Sequence, residues 1–230
     1  MTQQLTSIIM VCYDQIQTAR NSSMEAVAEI TRYTDPEDYE LIVIDCEPKL
    51  PFRDDFKCLK IDKFIEIPPP DIGYYPAMNK GAEEAKGEYL CFIDNDIFVH
   101  ENWLKNLRWY LENDLLDAVL PDQIPCSRTQ QLYYYGLTLE DAIGKGCSEQ
   151  GLVVIKKESF EKIGGWDKKL TKGYGWKRFY QQMGEHNIRY NNTAKVSITH
   201  LMGMTYWDTI QNDYAKYLVN SKEEGDYLNG

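Results

Sequence analysis

No stretch of this chain approaches the roughly 18 consecutive apolar residues of a membrane span, and its opening, MTQQLTSIIMVCYDQ, has no basic segment followed by a long apolar one. Neither an integral membrane segment nor a secretory leader is expected, which makes the cytoplasm the default compartment. C-x-x-C pairs are also missing. Cys12, Cys46, Cys58, Cys91, Cys126 and Cys147 are scattered, and Cys12, Cys46 and Cys91 lie in or beside strand-like runs. Buried, reduced thiols fit that distribution better than zinc ligands or disulfides. Basic residues are in deficit: 25 Lys and Arg face 36 Asp and Glu, for a formal net charge of −11. This balance opposes loose attraction to a polyanion, which rests on neutralising phosphates with cations, although one local basic cleft is compatible with it.

What is present suffices for one sizeable core. With 230 residues, 43% of them hydrophobic, a single domain over 1–230 is expected, with helix and strand signals alternating through 1–121 and a more irregular half over 122–230. Residues 7–12 (SIIMVC) and 40–45 (ELIVID) are continuous apolar runs of strand length, with a helix-like segment near 22–33 between them. Residues 77–86 (AMNKGAEEAK) predict a helix stopped by Gly87, and 88–94 (EYLCFID) predict a strand ending on an acid. Such alternation predicts a parallel sheet with crossover helices. Trp103, Leu104, Leu107 and Leu111 share one helical face, and short strands are expected at 117–121 and 151–156. Trp207, Ile210, Tyr214, Tyr217 and Leu218 recur at the spacing of a C-terminal amphipathic helix. Pro68-Pro69-Pro70 is a stiff connector lacking backbone donors.

The sharpest feature is the run Leu90-Cys91-Phe92-Ile93-Asp94-Asn95-Asp96, where an apolar strand delivers two carboxylates one residue apart at its carboxyl end. Ligand sites of open α/β sheets gather at that edge. Alone, the pair repels a diphosphate, at a cost of roughly 4 kcal/mol per close like-charge contact at an effective dielectric near 20. A divalent ion reverses that sign by bridging carboxylate and phosphate oxygens and stabilising charge on a departing nucleoside diphosphate. The bland alternative for a bare D-x-D is a solvated turn after a strand.

The surrounding residues favour the first reading. The segment GYYPAMNKGAEEAKGEYLCFIDND, preceded by two strands of which the second ends in Asp45, resembles the nucleotide-sugar-binding half of family-two glycosyltransferases over about residues 6–110. GLVVIKKESFEKIGGWDKKL and VSITHLMG are similar to that family's later strand, helix, Gly-Gly-aromatic-Asp turn and histidine-bearing strand, which carries the likeness to about residue 205. The resemblance implies a GT-A fold: α/β, with a Rossmann-like, mostly parallel sheet flanked by helices and an irregular acceptor-side half. It implies a nucleotide-sugar donor, with uridine as the expected base. Asp94, Asp96 and His200 would hold the metal, Asp45 would contact base or ribose, and Asn79 the donor region. Tyr13 and Asp14, after the first strand, and Tyr74 or Tyr75 would line the nucleotide, with half-buried packing as the alternative for the tyrosines. An imidazole ligand makes Mn2+ easier to accept than Mg2+, which prefers oxygen. His200 alone would read as a hydrogen-bonded core histidine; the D-x-D shifts that reading toward a ligand.

One part of the pattern breaks. Inverting relatives carry a Glu-Asp pair after the Gly-Gly-aromatic-Asp turn, and here Lys177 and Arg178 stand in those positions. A cation cannot act as the general base that abstracts the acceptor proton. Asp167 or Glu149 is then the substitute base, unless the enzyme retains configuration or binds donor without efficient transfer. Lys177 and Arg178 could instead hold a phosphate of the donor or of an anionic acceptor, or be solvated helix charges. Trp166 and Trp176 could offer flat faces to a sugar or belong to the core.

The competing functions are a catalytically weak nucleotide-sugar or carbohydrate-binding module and, less well supported, a haloacid-dehalogenase-type phosphatase. The latter places its D-x-D on an early strand, whereas two strands precede it here. A sugar nucleotidyltransferase needs a Gly-rich loop after the first strand, and VCYDQIQTARNSS has no glycine. The acceptor, whether glycan, lipid-linked sugar, protein or modified DNA base, and the oligomeric state are not encoded legibly.

Overall fold

The computed structural model describes residues 5–12, 17–46, 57, 59–68, 72–124, 151–171 and 175–201. In chain order the elements are β1 (Thr6–Cys12), α1 (Gln17–Tyr33), β2 (Tyr39–Cys46), β3 (Lys63–Ile67), α2 (Tyr74–Glu84), β4 (Tyr89–Asp94), β5 (Ile97–Phe98) and α3 (Trp103–Glu112). After these come β6 (Ala118–Ile124), β7 (Leu152–Lys156), α4 (Lys157–Lys162), α5 (Gly175–Glu185) and β8 (Tyr190–His200). The strands form one sheet in the order β3-β2-β1-β4-β7-β6-β8-β5. β3, β2, β1 and β4 are mutually parallel. β7 enters antiparallel between β4 and β6, β6 and β8 run parallel, and β5 is antiparallel to β8. This is the mostly parallel α/β sheet flanked by helices that the family resemblance implies.

β1 and β2 are buried along their whole length. A strand covered on both faces has no polar side, hence the continuous apolar runs. Ile8 and Met10 pack with Val27 and Ile30 of α1 and with Trp103, Leu107 and Leu111 of α3. Ile9 and Val11 point the other way, toward Met78 of α2, Phe160 of α4, Trp166 and Phe179 of α5. Close contact of α2 with the sheet depends on Gly81, where a Cβ would lie 2.4 Å from Ile9 Cγ2 and 2.9 Å from Ile44 Cδ1.

α1 begins at Gln17, ahead of the segment near 22 that periodicity predicts, because Ser22 and Ser23 are buried inside it and Ser23 Oγ donates to the Ala19 carbonyl at 3.2 Å. Tertiary burial overrides their weak helix propensity. α2 likewise starts at Tyr74, with Pro76 in its first turn, where no backbone donor is needed. β3 was not apparent in the sequence, since it is a partly exposed edge strand carrying Lys63 and Glu66, and charge at an edge masks strand periodicity. Cys12, Cys46 and Cys91 are buried as expected, and burial pushes the Cys91 thiol well above its ordinary range. Cys58, Cys126, Cys147 and the expected C-terminal helix lie outside the described residues. No described helix is long and apolar enough to cross a membrane.

β6, β7 and β8 are locked together at the amino edge of β4. The Arg189 guanidinium donates to both Asp117 oxygens, from Nε to Oδ2 at 2.9 Å and from NH2 to Oδ1 at 2.7 Å, and Lys156 Nζ reaches Asp114 at 2.7 Å. The hydrogen bond from Arg189 is the main cause that holds the Asp117 carboxyl well below the usual carboxylate range, with its backbone N–H and Lys156 adding to it. A carboxyl lowered on folding contributes stability that is full above its unfolded pKa, near 4, and is lost as pH falls toward the folded value. Asp117→Asn should therefore lower stability at pH 7 by about 2 kcal/mol, the order of a charge-assisted hydrogen bond. Urea unfolding should show that gap shrinking between about pH 4 and pH 2; an equal gap at both ends would contradict this role.

Candidate functional site

Strand pairing, not chain proximity, assembles the acidic site. β4 ends at Asp94, whose backbone N–H donates to the Gly151 carbonyl at 2.7 Å as β7 begins. The chain then turns through Asn95 and Asp96 into β5, whose Ile97 pairs with His200 at the end of β8. Leu201 N–H closes the arrangement on the Asp96 carbonyl at 3.0 Å. A short strand after the D-x-D thus brings the late histidine against carboxylates more than a hundred residues earlier.

His200 Nε2 lies 3.1 Å from Asp96 Oδ1 and 4.0 Å from Asp94 Oδ2. Asp94, Asp96 and His200 each offer one ligand atom, and these atoms all lie within 4.8 Å of one another. Asp96 and His200 are buried, and Asp94 is partly open. Two hard oxygens and one imidazole nitrogen in that space fit a divalent cation that accepts mixed oxygen and nitrogen donors.

Neighbouring groups fix these side chains. The Tyr74 hydroxyl donates to Asp94 Oδ1. Burial first, then the Asp94 charge, pushes the Tyr74 phenol well above its ordinary range, so it remains a protonated donor. Asn95 turns away from the carboxylates, and its Nδ2 donates to Ser23 Oγ of α1 at 2.8 Å. Gly151 sits at φ +62°, and a Cβ there would lie 2.7 Å from Asp94 Oδ2 and 2.9 Å from His200 Cε1. The convergence of the carboxylate and the imidazole thus needs glycine at 151.

Other residues singled out in the sequence fall in different places. Asp45, the penultimate residue of β2, lies toward the same sheet edge, 1% exposed and paired in register with Cys12, while Asp94 pairs with Val11. Of the two tyrosines, Tyr74 reaches the acidic cluster, whereas Tyr75 is 4% exposed and stacks on Trp166 with centroids 5.3 Å apart. Asn79 is not in the cluster. Its Oδ1 accepts from Trp166 N–H at 2.9 Å and its Nδ2 donates to the Trp166 carbonyl at 2.8 Å, clamping the turn in which Gly164 and Gly165 have positive φ. Trp166 and Trp176 are core residues, the former stacked on Phe179 at 4.1 Å, so neither presents a face to a sugar.

The basic pair of α5 is also placed. Arg178 makes a two-pronged contact with Glu185 at 2.7 and 3.2 Å and approaches Asp167 Oδ2 at 3.7 Å, while Lys177 is exposed. Asp167 Oδ1 also accepts from Lys169 N–H at 3.0 Å. Tyr13, Asp14 and Glu149 lie outside the described residues. Sequence reasoning missed Gln123, whose Oε1 lies 3.3 Å from His200 Nδ1, and Gly151, which packs against Asp94 and His200. A polar pair, Asp122-Gln123, after the apolar start of β6 and a glycine directly before β7 were the available signals.

A family model described as "Glycosyl transferase family 2" matches residues 7–165, which runs from the second residue of β1 through α4 and takes in the whole D-x-D turn. No curated protein matches the chain.

Proposed function

Because the chain belongs to glycosyl transferase family 2, we propose that it moves a sugar from a UDP-linked donor to an acceptor hydroxyl with Mn2+ held by Asp94, Asp96 and His200. The observation that carries this reading is the convergence of two carboxylate oxygens and an imidazole nitrogen within 4.8 Å at the carboxyl edge of a mostly parallel sheet. The nitrogen donor favours manganese over magnesium. Such a cation, when bound, offsets the repulsion between the acidic pair and a diphosphate and stabilises the charge on the leaving nucleoside diphosphate.

The protein's own groups then bind and orient. Asp45, on β2, is two strand spacings from β4, about 10 Å, a span that a nucleoside joined to a diphosphate covers. It addresses base or ribose, and Tyr13 and Asp14, which follow β1 in the sequence, contact the nucleotide. Tyr74 keeps Asp94 in place by donating to Oδ1. The acceptor proton goes to a carboxylate displaced from the start of α5, with Asp167 or Glu149 in that role and inversion as the outcome. The acceptor is a glycan, a lipid-linked sugar or a protein ahead of a modified DNA base, given the net charge of −11, and the reaction takes place in the cytoplasm.

The ion pair between Arg178 and Asp167 favours one second reading, a module that binds donor without transferring it. Released UDP together with a mass-shifted acceptor supports the enzyme; binding without either supports the module. The donor itself is tested by thermal shift across nucleotide sugars, with and without Mn2+. At a hundred times its dissociation constant the true donor adds about 2.7 kcal/mol, a rise of roughly 5–10 °C for a chain of this size, and only with the metal present. Equal shifts with and without Mn2+ would count against the metal-dependent reading.

A further inference from the structure

We infer that Gln123 is a positioning residue that sets the tautomer of His200 and so directs the lone pair of Nε2 at the cation. The inference rests on the metal-dependent reading above. Gln123 is 2% exposed, and a buried amide of this kind is held by hydrogen bonds. Its Oε1 lies 3.3 Å from His200 Nδ1, on the side of the ring opposite Nε2, which faces Asp96 Oδ1 at 3.1 Å. An amide oxygen only accepts. It therefore selects the imidazole that carries its proton on Nδ1 and leaves Nε2 as the ligating nitrogen.

The backbone is built to deliver this contact. β6 and β8 run parallel with Pro121 opposite Thr193, but the next residue, Asp122, stands opposite Ser197, so residues 194–196 drop out of register. Continued without that irregularity, the ladder would set Gln123 opposite Lys195, too far back along β8 to meet the histidine. With it, Gln123 stands opposite Ile198, two residues short of His200 and on the same face. A long side chain spans that diagonal, and irregularities of this type re-aim side chains beside functional sites.

The test measures Mn2+ affinity of the full chain by electron paramagnetic resonance, with thermal unfolding as a check on the fold. Gln123→Leu keeps the volume but removes the acceptor and should weaken Mn2+ binding by about 10–100-fold, the usual cost of an outer-shell partner. Gln123→Glu keeps an acceptor oxygen and should bind at least as tightly as wild type. In the wild-type protein loaded with diamagnetic Zn2+, nitrogen-15 spectra should place the His200 proton on Nδ1, a readout that needs no variant to fold. Unchanged Mn2+ affinity in Gln123→Leu, equal weakening in both variants, or a proton on Nε2 would overturn the assignment while leaving the metal site standing. Wild-type protein that binds no Mn2+ would remove the metal-dependent reading and this inference with it.

Discussion

Asp96→Ala should abolish Mn2+-dependent binding of UDP, a loss of more than about 100-fold, beyond the roughly 10–100-fold cost of losing an outer-shell partner. Asp96 Oδ1 lies closer to His200 Nε2 than Asp94 Oδ2 does, 3.1 against 4.0 Å, and its side chain is 7% exposed, so water replaces it poorly. The fold should persist, because the link from Asp96 to the sheet runs through its backbone carbonyl and Leu201 N–H. Removing one of two neighbouring carboxylates also relieves like-charge repulsion. His200→Ala should follow in severity. Asn95→Ala should cost the metal least, since its amide is spent on Ser23. Isothermal titration calorimetry decides the order, and unchanged binding by Asp96→Ala would contradict the role given to it.

Gly151→Ala should damage stability and metal affinity together. At φ +62° an L-residue carries about 1–2 kcal/mol of backbone strain. The added methyl meets Asp94 Oδ2 at 2.7 Å and Ile97 Cδ1 at 2.7 Å, and the His200 ring at 2.9 Å. Those neighbours sit on three different strands or strand ends, so relief means spreading the ligands apart. A fall in melting temperature of about 5 °C or more, together with Mn2+ binding weakened by at least about 10-fold, is expected. Native stability and native affinity in the same variant would show that the site yields to a methyl group at no cost.

Much of the fold was legible because its central strands are covered on both faces, so SIIMVC, ELIVID and EYLCFID stand out as apolar runs that end at one edge. Asp94 and Asp96 were readable for the same reason: they interrupt such a run where ligands collect. His200 could be tied to them only by resemblance, because the link is the pairing of Ile97 with His200 through a two-residue strand. Asn79 and Gly81 illustrate a different limit. Their spacing marked the family, yet Asn79 clamps the Trp166 turn and Gly81 lets α2 approach Ile9, roles set by partners remote in sequence. Gln123 was hidden still deeper, since its reach to His200 depends on a register irregularity that no local pattern announces.

Crystals grown with UDP and Mn2+, with anomalous diffraction recorded at the manganese edge, would test the cation site most directly. A single strong peak bounded by Asp94, Asp96 and His200, with the diphosphate on its open side, is the predicted result. Manganese bound elsewhere, or those three side chains left bare beside an ordered nucleotide, would contradict it.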